Sequence, residues 1–536
     1  MTGAIDWPTR DLVAHRVAAT PDRTALIDVA TETEWTVRDL DRRVDRAAAG
    51  LASVLDGREG AGGERIGVLM DTRPAFATLF FAAMRTGTTV VPLNVRETVG
   101  ELAATVERTD LPAVVCERTT EADALALADE AAPRPIDVYS VDEPHRDRVS
   151  EAFQSAANSS SDSESGSDTR SRAVEPVALE RDDTQLIMFT SGTSGEPKGV
   201  RLTVGNLVAS ATASAFRLGV SSEDRWLCCL PMYHMGGLAP VLRSVLYGTP
   251  VVIQREFDAE STARVLAEYD ITGVSLVPTM CKRLLEAGWE PADALRFVLL
   301  GGAPASDELL ERCREHGVPV SPTYGMTETA SQIATATPDE VDAHEGTVGQ
   351  PLLFTDVSVV DETGKALEPG EQGELVVSGP TVTPGYLDDG HTEAAFGDRG
   401  LHTGDIGFRD ADGRLWILNR RSDRIVTGGE NVDPGEVIAA LRSHPRVEDA
   451  AVVGLEDAEW GERVAALVVP GSGTDSDGRL EPRSLLAHCD DRLAGFKQPK
   501  TIGVADELPR TASGTVDREA VYERLLEDGI DVTDST

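Results

Sequence analysis

A chain of 536 residues with 41% hydrophobic and 26% charged residues has enough material for a large core and more than one domain. Its 91 Asp and Glu against 50 Lys and Arg give a formal net charge of −41, spread along the chain rather than gathered in a tail, which argues against nucleic-acid binding and against docking on anionic membrane. Only Lys198, Lys282, Lys365, Lys497 and Lys500 are lysines, and this acidic, lysine-poor balance predicts a halophilic, archaeal source in which salt screens the self-repulsion.

The first residues, "MTGAIDWPTRDLVAHR", carry early acids and no apolar core segment, so no signal peptide is expected. No apolar run reaches the length of a membrane span, and no membrane insertion is expected. The six cysteines, Cys116, Cys228, Cys229, Cys281, Cys313 and Cys489, show no C-x-x-C spacing. They read as reduced, mostly buried thiols of a cytoplasmic protein. The histidines are scattered, with no H-E-x-x-H pair. Nothing in the sequence addresses oligomeric state.

Residues 9–56 read as helical, with a short strand near "TALIDV" and a helix through "TVRDLDRRVDRAAAGLASVL". "RIGVLM" reads as a buried strand, and "PAFATLFFAAMRTGTTVVPLN" as helix, turn and strand. Alternation continues through "PAVVCE", "DVYSV", "TPVVIQ" and "GVSLVP", which predicts α/β layers. Residues 155–172 form a low-complexity Ser/Asp insert and read as a disordered loop. From 346 to 418 short strands and Gly/Pro turns ("VSVVD", "GELVVSG", "GRLWIL") predict a β-rich subdomain. "NRRSDR", 419–424, reads as a charged connector before a smaller α+β unit.

The strongest local signal is "LIMFTSGTSGEPKGV", 186–200. An apolar strand enters a loop of Thr190, Ser191, Gly192, Thr193, Ser194 and Gly195, and Lys198 follows. Glycines let backbone N–H groups approach phosphate oxygens, hydroxyls add donors, and the lysine adds charge. It is not a Walker A loop, which needs G-K-[ST]; here Pro197 precedes Lys198 and Gly199 follows it.

This loop resembles the phosphate loop of the adenylate-forming superfamily of acyl-CoA ligases, luciferases and peptide synthetase adenylation domains. "PMYHMGGL" (231–238), "GGAP" (301–304), "YGMTET" (324–329), "GELVVSGP" (373–380), "HTGDIG" (402–407) and "RRSDRIVTGGENVDPGEV" (420–437) follow in that superfamily's order. The resemblance implies a large N-terminal AMP-binding domain over 1–419, built of layered α/β subdomains plus a β-rich one. A hinge at 420–424 containing Ser422 and a small, mobile α+β domain over 425–536 complete it.

It also implies roles. Glu328 is the expected magnesium ligand. Tyr324 stacks on adenine within a segment continued by Gly325, Met326 and Thr327. Gly301, Gly302, Ala303 and Pro304 line the nucleotide. Asp405 and Arg420 take the ribose. His234 borders and gates the acyl pocket, although read alone it is an ordinary core histidine. Gly428 and Gly429 belong to the loop that lines the pantetheine tunnel. The implied cofactors and co-substrates are ATP, Mg2+ and coenzyme A. A carboxylate attacks the α-phosphate of ATP to give acyl-adenylate and pyrophosphate, and a thiol then displaces AMP.

No carrier domain is expected after "DGIDVTDST", an expectation that favours free coenzyme A as acceptor. Within the superfamily, "MTETASQI" together with "RRSD" and "GGEN" resembles the o-succinylbenzoate–CoA ligases of menaquinone biosynthesis. Their substrate carries a second carboxylate on the aromatic ring, and burying it requires a cation or several hydrogen bonds. Arg243 is the only Lys or Arg between Pro231 and Gln254. It is expected to face that carboxylate, directly or through water; the other reading is an arginine snorkelling to the surface. Ser331 and Gln332 are further pocket candidates. The alternatives are an aryl- or medium-chain fatty acyl-CoA ligase, and a nucleotide-binding homologue with impaired adenylation.

One position departs from the superfamily pattern. The C-terminal turn reads P-R-T-x-x-G-K there, and its lysine serves adenylation; here Thr515 takes that place in "PRTASGTVDR". Three sources of compensation are open: Lys497 or Lys500, Arg510 or Arg518, or Lys198 with Mg2+ and high salt.

Overall fold

The computed structural model describes residues 10–55, 65–130, 135–151, 175–190, 197–420, 425–427, 430–432, 434–457, 460–471, 480, 482–490, 492–493, 495–511 and 515–532. The 155–172 insert, residues 191–196, most of the hinge including Ser422, and Gly428 and Gly429 lie outside them. Among the described residues no helix is long and apolar enough to cross a membrane.

The chain divides into two compact units, Met1–Val357 with Val377–Leu401, and Ser358–Val376 with His402–Thr536. The first is α/β, built on two large sheets. A seven-stranded sheet runs in the order Val149–Glu151, Asp137–Ser140, Ala113–Cys116, Arg65–Leu69, Thr89–Leu93, Thr184–Thr190, Lys198–Thr203. It is parallel except for the last pair. A nine-stranded sheet has the parallel centre Phe297–Leu300, Gly273–Leu276, Trp226–Cys228, Val251–Ile253, Thr24–Asp28, with Val320–Tyr324 parallel beside Phe297–Leu300. Such strands are covered on both faces, which is why they read as unbroken apolar runs rather than alternating ones.

The covering helices carry their own punctuation. Helix Val37–Leu55 buries Val37, Leu40, Val44, Ala47, Ala48 and Leu51, the 3.6-residue stripe of an amphipathic helix. Helix Pro74–Thr86 starts on proline and stops at Gly87 in the left-handed region, at φ 73°. Thr98 and Glu101 form a capping box for Val99–Thr109, and Thr203 with Asn206 does the same for Val204–Leu218. Helices Val37–Leu55, Pro74–Thr86, Val204–Leu218 and Met235–Tyr247 contribute to one core cluster together with Val90, Leu186 and Val251 of the sheets.

A five-stranded sheet orders Asp356–Val360, Gly373–Ser378, Gly400–Arg409 and Phe396–Gly397, with Leu415–Arg420 paired to Gly400–Arg409. In the second unit, Val447–Asp457 and Gly461–Pro470 form a long antiparallel pair. Ala450, Val452, Val464, Ala466 and Val468 face one core, while Ala451, Val453, Leu455, Ala465 and Leu467 face another. This period of two places Pro434–Arg442 and Pro482–Asp490 over one face and Arg518–Asp528 over the other. All six cysteines are free and buried.

Candidate active site

The C-terminal ends of the parallel strands gather most of the motif residues, where open α/β sheets take their ligands. Leu300 and Pro322 are register partners, so the turn Gly301–Pro304 and Tyr324 leave adjacent strands side by side. A Cβ on Gly301 would lie 2.6 Å from Thr323 Cγ2; this glycine is needed for strand-to-strand packing whatever else passes it. Gly302 is exposed, at φ 81°.

Beyond Tyr324 the chain folds back sharply. A Cβ on Gly325 would sit 1.7 Å from the Ser331 carbonyl oxygen, so no other residue fits there without moving the loop. Ala330 and Ser331 take positive φ, 52° and 125°. Strain of this kind persists where the surroundings over-determine it: Ile333 N–H donates to the Tyr324 carbonyl at 2.7 Å, and Ser210 Oγ to that of Ala330 at 2.8 Å.

Glu328 lies in the short 3-10 turn Thr327–Thr329 of this loop and is buried. Its Oε1 accepts from the Tyr386 hydroxyl at 2.9 Å. Lys198 opens the strand Lys198–Thr203 and is the register partner of Thr190, so strands Thr184–Thr190 and Lys198–Thr203 bracket the Ser/Gly loop. The Lys198 ammonium lies 5.6 Å from the Tyr386 ring centre. A cation and a buried carboxylate thus share one tyrosine. A fixed hard oxygen donor near a lysine suits Mg2+ on a nucleotide, and Glu328 is the residue that would hold it.

Helix Met235–Tyr247 carries the acyl-pocket candidates. His234 precedes its first turn, partly buried, its ring 4.9 Å from and edge-on to Tyr233. Burial, with Arg96 nearby, holds the imidazole below its ordinary pKa and hence neutral at pH 7. Arg243 does not snorkel: the residue is 3% exposed. Its Nη2 donates to Ser331 Oγ at 3.1 Å, and its Nε has no hydrogen-bond partner among the described residues. No carboxylate among the described residues pairs with it. Burial pulls its pKa down, but a guanidinium starts so high that it stays charged. Gln332 is buried too; its Nε2 donates to Thr335 Oγ1 at 2.6 Å, and its Oε1 has no partner among the described residues.

In the second unit Asp405 is buried and faces Arg420 across two strands, with Nε 3.2 Å from Oδ1. Thr515 is tied into its own turn: its carbonyl accepts from Thr511 N–H at 2.8 Å, and the two hydroxyls lie 2.8 Å apart. Three of the cations considered as compensation are engaged elsewhere. Lys497 pairs with Glu436 at 2.6 Å, Arg510 with Asp449 at 3.0 Å, and the Lys500 ammonium sits 3.8 Å from the Trp460 ring centre.

Tyr386 escaped the sequence reading. "TPGYLDDG" carries no local signature, and the tyrosine meets Glu328 only through the fold, 58 residues away in sequence.

The chain belongs to the AMP-binding enzyme family. That family's model matches residues 13–387, and the model of the AMP-binding enzyme C-terminal domain matches residues 436–515. Among relatives, the chain is 36% identical to the 2-succinylbenzoate–CoA ligase of Bacillus pumilus over 507 residues, 94% of this chain and 96% of that one. It is 42% identical to the corresponding ligase of Bacillus licheniformis over 356 residues, 66% of this chain and 73% of that one. A solved structure of o-succinylbenzoate CoA synthetase from Bacillus subtilis, in complex with the acyl-adenylate intermediate, matches at 34% identity with a TM-score of 0.83, covering 96% and 98% of the two chains. ATP-bound MatB from Rhodopseudomonas palustris matches at 28% and 0.84, covering 96% and 98%.

Proposed function

We infer that this chain is an AMP-forming acid–thiol ligase that converts o-succinylbenzoate, ATP and coenzyme A into o-succinylbenzoyl-CoA, AMP and diphosphate, a step of menaquinone synthesis. The succinyl carboxylate attacks the α-phosphate and releases pyrophosphate; the coenzyme A thiol then attacks the acyl carbon and releases AMP. Positioning and charge stabilisation carry both steps. Lys198 meets phosphate oxygens. Mg2+, held by Glu328, neutralises phosphate charge when bound. Tyr324 and the 301–304 turn take the adenine, and Asp405 with Arg420 the ribose. His234, kept neutral, borders the acyl group without competing for its charge.

The observation that carries the choice of substrate is Arg243, a buried cation with no carboxylate beside it among the described residues. An aromatic acid with a second carboxylate supplies the missing charge, and Ser331 and Gln332 add polar contacts. A fatty-acyl or simple aryl ligase has no use for that charge. A panel of o-succinylbenzoate, benzoate, coumarate and octanoate, assayed for ATP- and CoA-dependent thioester in concentrated KCl, tests the reading. Selective turnover of o-succinylbenzoate is expected; equal turnover of benzoate or octanoate contradicts it.

Domain rotation about 420–424 between the half-reactions, with Ser422 at the pivot and Gly428 and Gly429 lining the thiol's path, belongs to the same reading. At Thr515, Lys497, Lys500 and Arg510 are engaged elsewhere, which favours Lys198 with Mg2+ and high salt as the source of charge over those three, Arg518 being the other candidate. Thr515→Lys then speeds adenylation about 10²–10³-fold, the value of one transition-state charge contact, with thioester formation from preformed acyl-adenylate unchanged. No gain in pyrophosphate exchange removes Thr515 as a catalytic gap. The excess of acid supports a cytoplasmic, salt-adapted protein from a halophile, for which loss of fold at low salt is the expected result and full activity there the contrary one.

A further inference from the structure

Segment 380–387 is fastened to both halves of the phosphate site. Asn206 Nδ2 donates to the carbonyls of Pro380 and Val382 at 2.9 and 2.8 Å. Thr383 N–H donates to the Glu328 carbonyl at 2.7 Å, and Leu387 N–H to that of Gly199 at 2.8 Å. Tyr386 forms an antiparallel bridge with Val200, and its own N–H donates to Thr392 Oγ1 at 2.9 Å. The tyrosine is 4% exposed. Its backbone is therefore fixed to the lysine strand, while its hydroxyl reaches the carboxylate of a different loop.

We propose that Tyr386 is the positioning residue of the metal-binding carboxylate: its hydroxyl fixes one oxygen of Glu328, and its ring backs Lys198, so that cation and carboxylate hold one spacing for Mg2+–ATP. The proposal rests on Glu328 being the metal ligand. A buried carboxylate oxygen without a donor is costly and free to turn; one held by a rigid ring is pre-organised.

The test uses the full chain with Mn2+ as a spectroscopic stand-in for Mg2+. Free Mn2+ is counted by electron paramagnetic resonance with ATP present, for wild type, Tyr386→Phe, Glu328→Gln and the double variant. Thermal unfolding verifies that each is folded. Tyr386→Phe is expected to weaken Mn2+ binding about 10–100-fold, the range of a hydrogen bond to a charged group, with metal-free ATP binding unchanged. The Mg2+ concentration for half-maximal pyrophosphate exchange rises by the same factor, and the double variant binds Mn2+ no more weakly than Glu328→Gln alone. Tyr386→His keeps a ring N–H and is expected to bind Mn2+ more tightly than Tyr386→Phe.

Wild-type Mn2+ affinity in Tyr386→Phe, with Glu328→Gln impaired, overturns the role of Tyr386 and leaves Glu328 as ligand. Wild-type affinity in Glu328→Gln overturns the metal assignment and the proposal with it. Additive losses in the double variant, or a histidine variant as weak as the phenylalanine one, also contradict the proposal.

Discussion

Arg85 and Arg243 are both buried arginines on helices of the same unit, at 2% and 3% exposure. Their surroundings are opposite. Arg85 meets Asp11 at 2.9 Å, Asp41 at 2.8 Å and Asp45, three carboxylates around one guanidinium; burial works to lower its pKa, but Asp11 and Asp41 outweigh it and raise the pKa. Arg243 has the hydroxyl of Ser331 and no carboxylate among the described residues, and burial lowers its pKa. A buried charge is tolerated when it is paired. Arg85 is paired by the fold, so it serves structure. In the proposed function, the counter-charge of Arg243 arrives with the substrate. Burial alone does not mark a functional arginine; what sets Arg243 apart is burial without a carboxylate partner among the described residues.

Arg85→Met strands Asp11 at 0% exposure and is expected to cost about 3–5 kcal/mol in denaturant unfolding. A loss under 1 kcal/mol would mean the triad holds little. Arg243→Met removes an unpaired buried charge and is expected to be neutral or stabilising by about 1 kcal/mol in the same assay; a loss as large as that of Arg85→Met would make it a second structural arginine. Asp45 is the exposed member of the triad, its side chain 62% accessible, so Asp45→Ala is expected to cost below about 1 kcal/mol.

The smallest effect concerns pH. His234 is neutral in the fold with its pKa below 6.5, whereas the unfolded chain takes up a proton near pH 6.5. Its contribution is therefore complete above pH 6.5 and is lost as pH falls below it. Between pH 7.5 and 5, wild type is expected to lose more stability than His234→Gln, by under about 1 kcal/mol. Parallel losses would place the imidazole in a solvated site.

The same contrast explains what the sequence disclosed. Lys198, Tyr324 and Glu328 sit in short motifs whose chemistry is local, and the apolar strands at 65–69, 89–93 and 273–276 were legible because parallel strands are buried on both faces. Arg243 stood out as the lone Lys or Arg in its stretch, yet its burial is set by packing. The short strand Thr33–Thr36 lay hidden in a stretch that read as helical. The Arg85 triad joins residues 74 and 40–44 apart in sequence, and the Tyr386–Glu328 bond joins residues 58 apart. The positive φ of Ser331 follows from a loop closed on Gly325. None of these has a periodicity or composition to read.

The most direct test compares o-succinylbenzoate with its analogue lacking the ring carboxylate, in wild type and Arg243→Met, by kcat/KM for thioester formation in concentrated KCl. Wild type is expected to prefer o-succinylbenzoate about 10²–10³-fold, as a site built for a buried charged group rejects a ligand without it. Arg243→Met is expected to lose that preference through KM for the acid, with KM for coenzyme A unchanged. The same preference in both proteins would contradict the assignment of Arg243, and with it the physical ground for choosing this substrate.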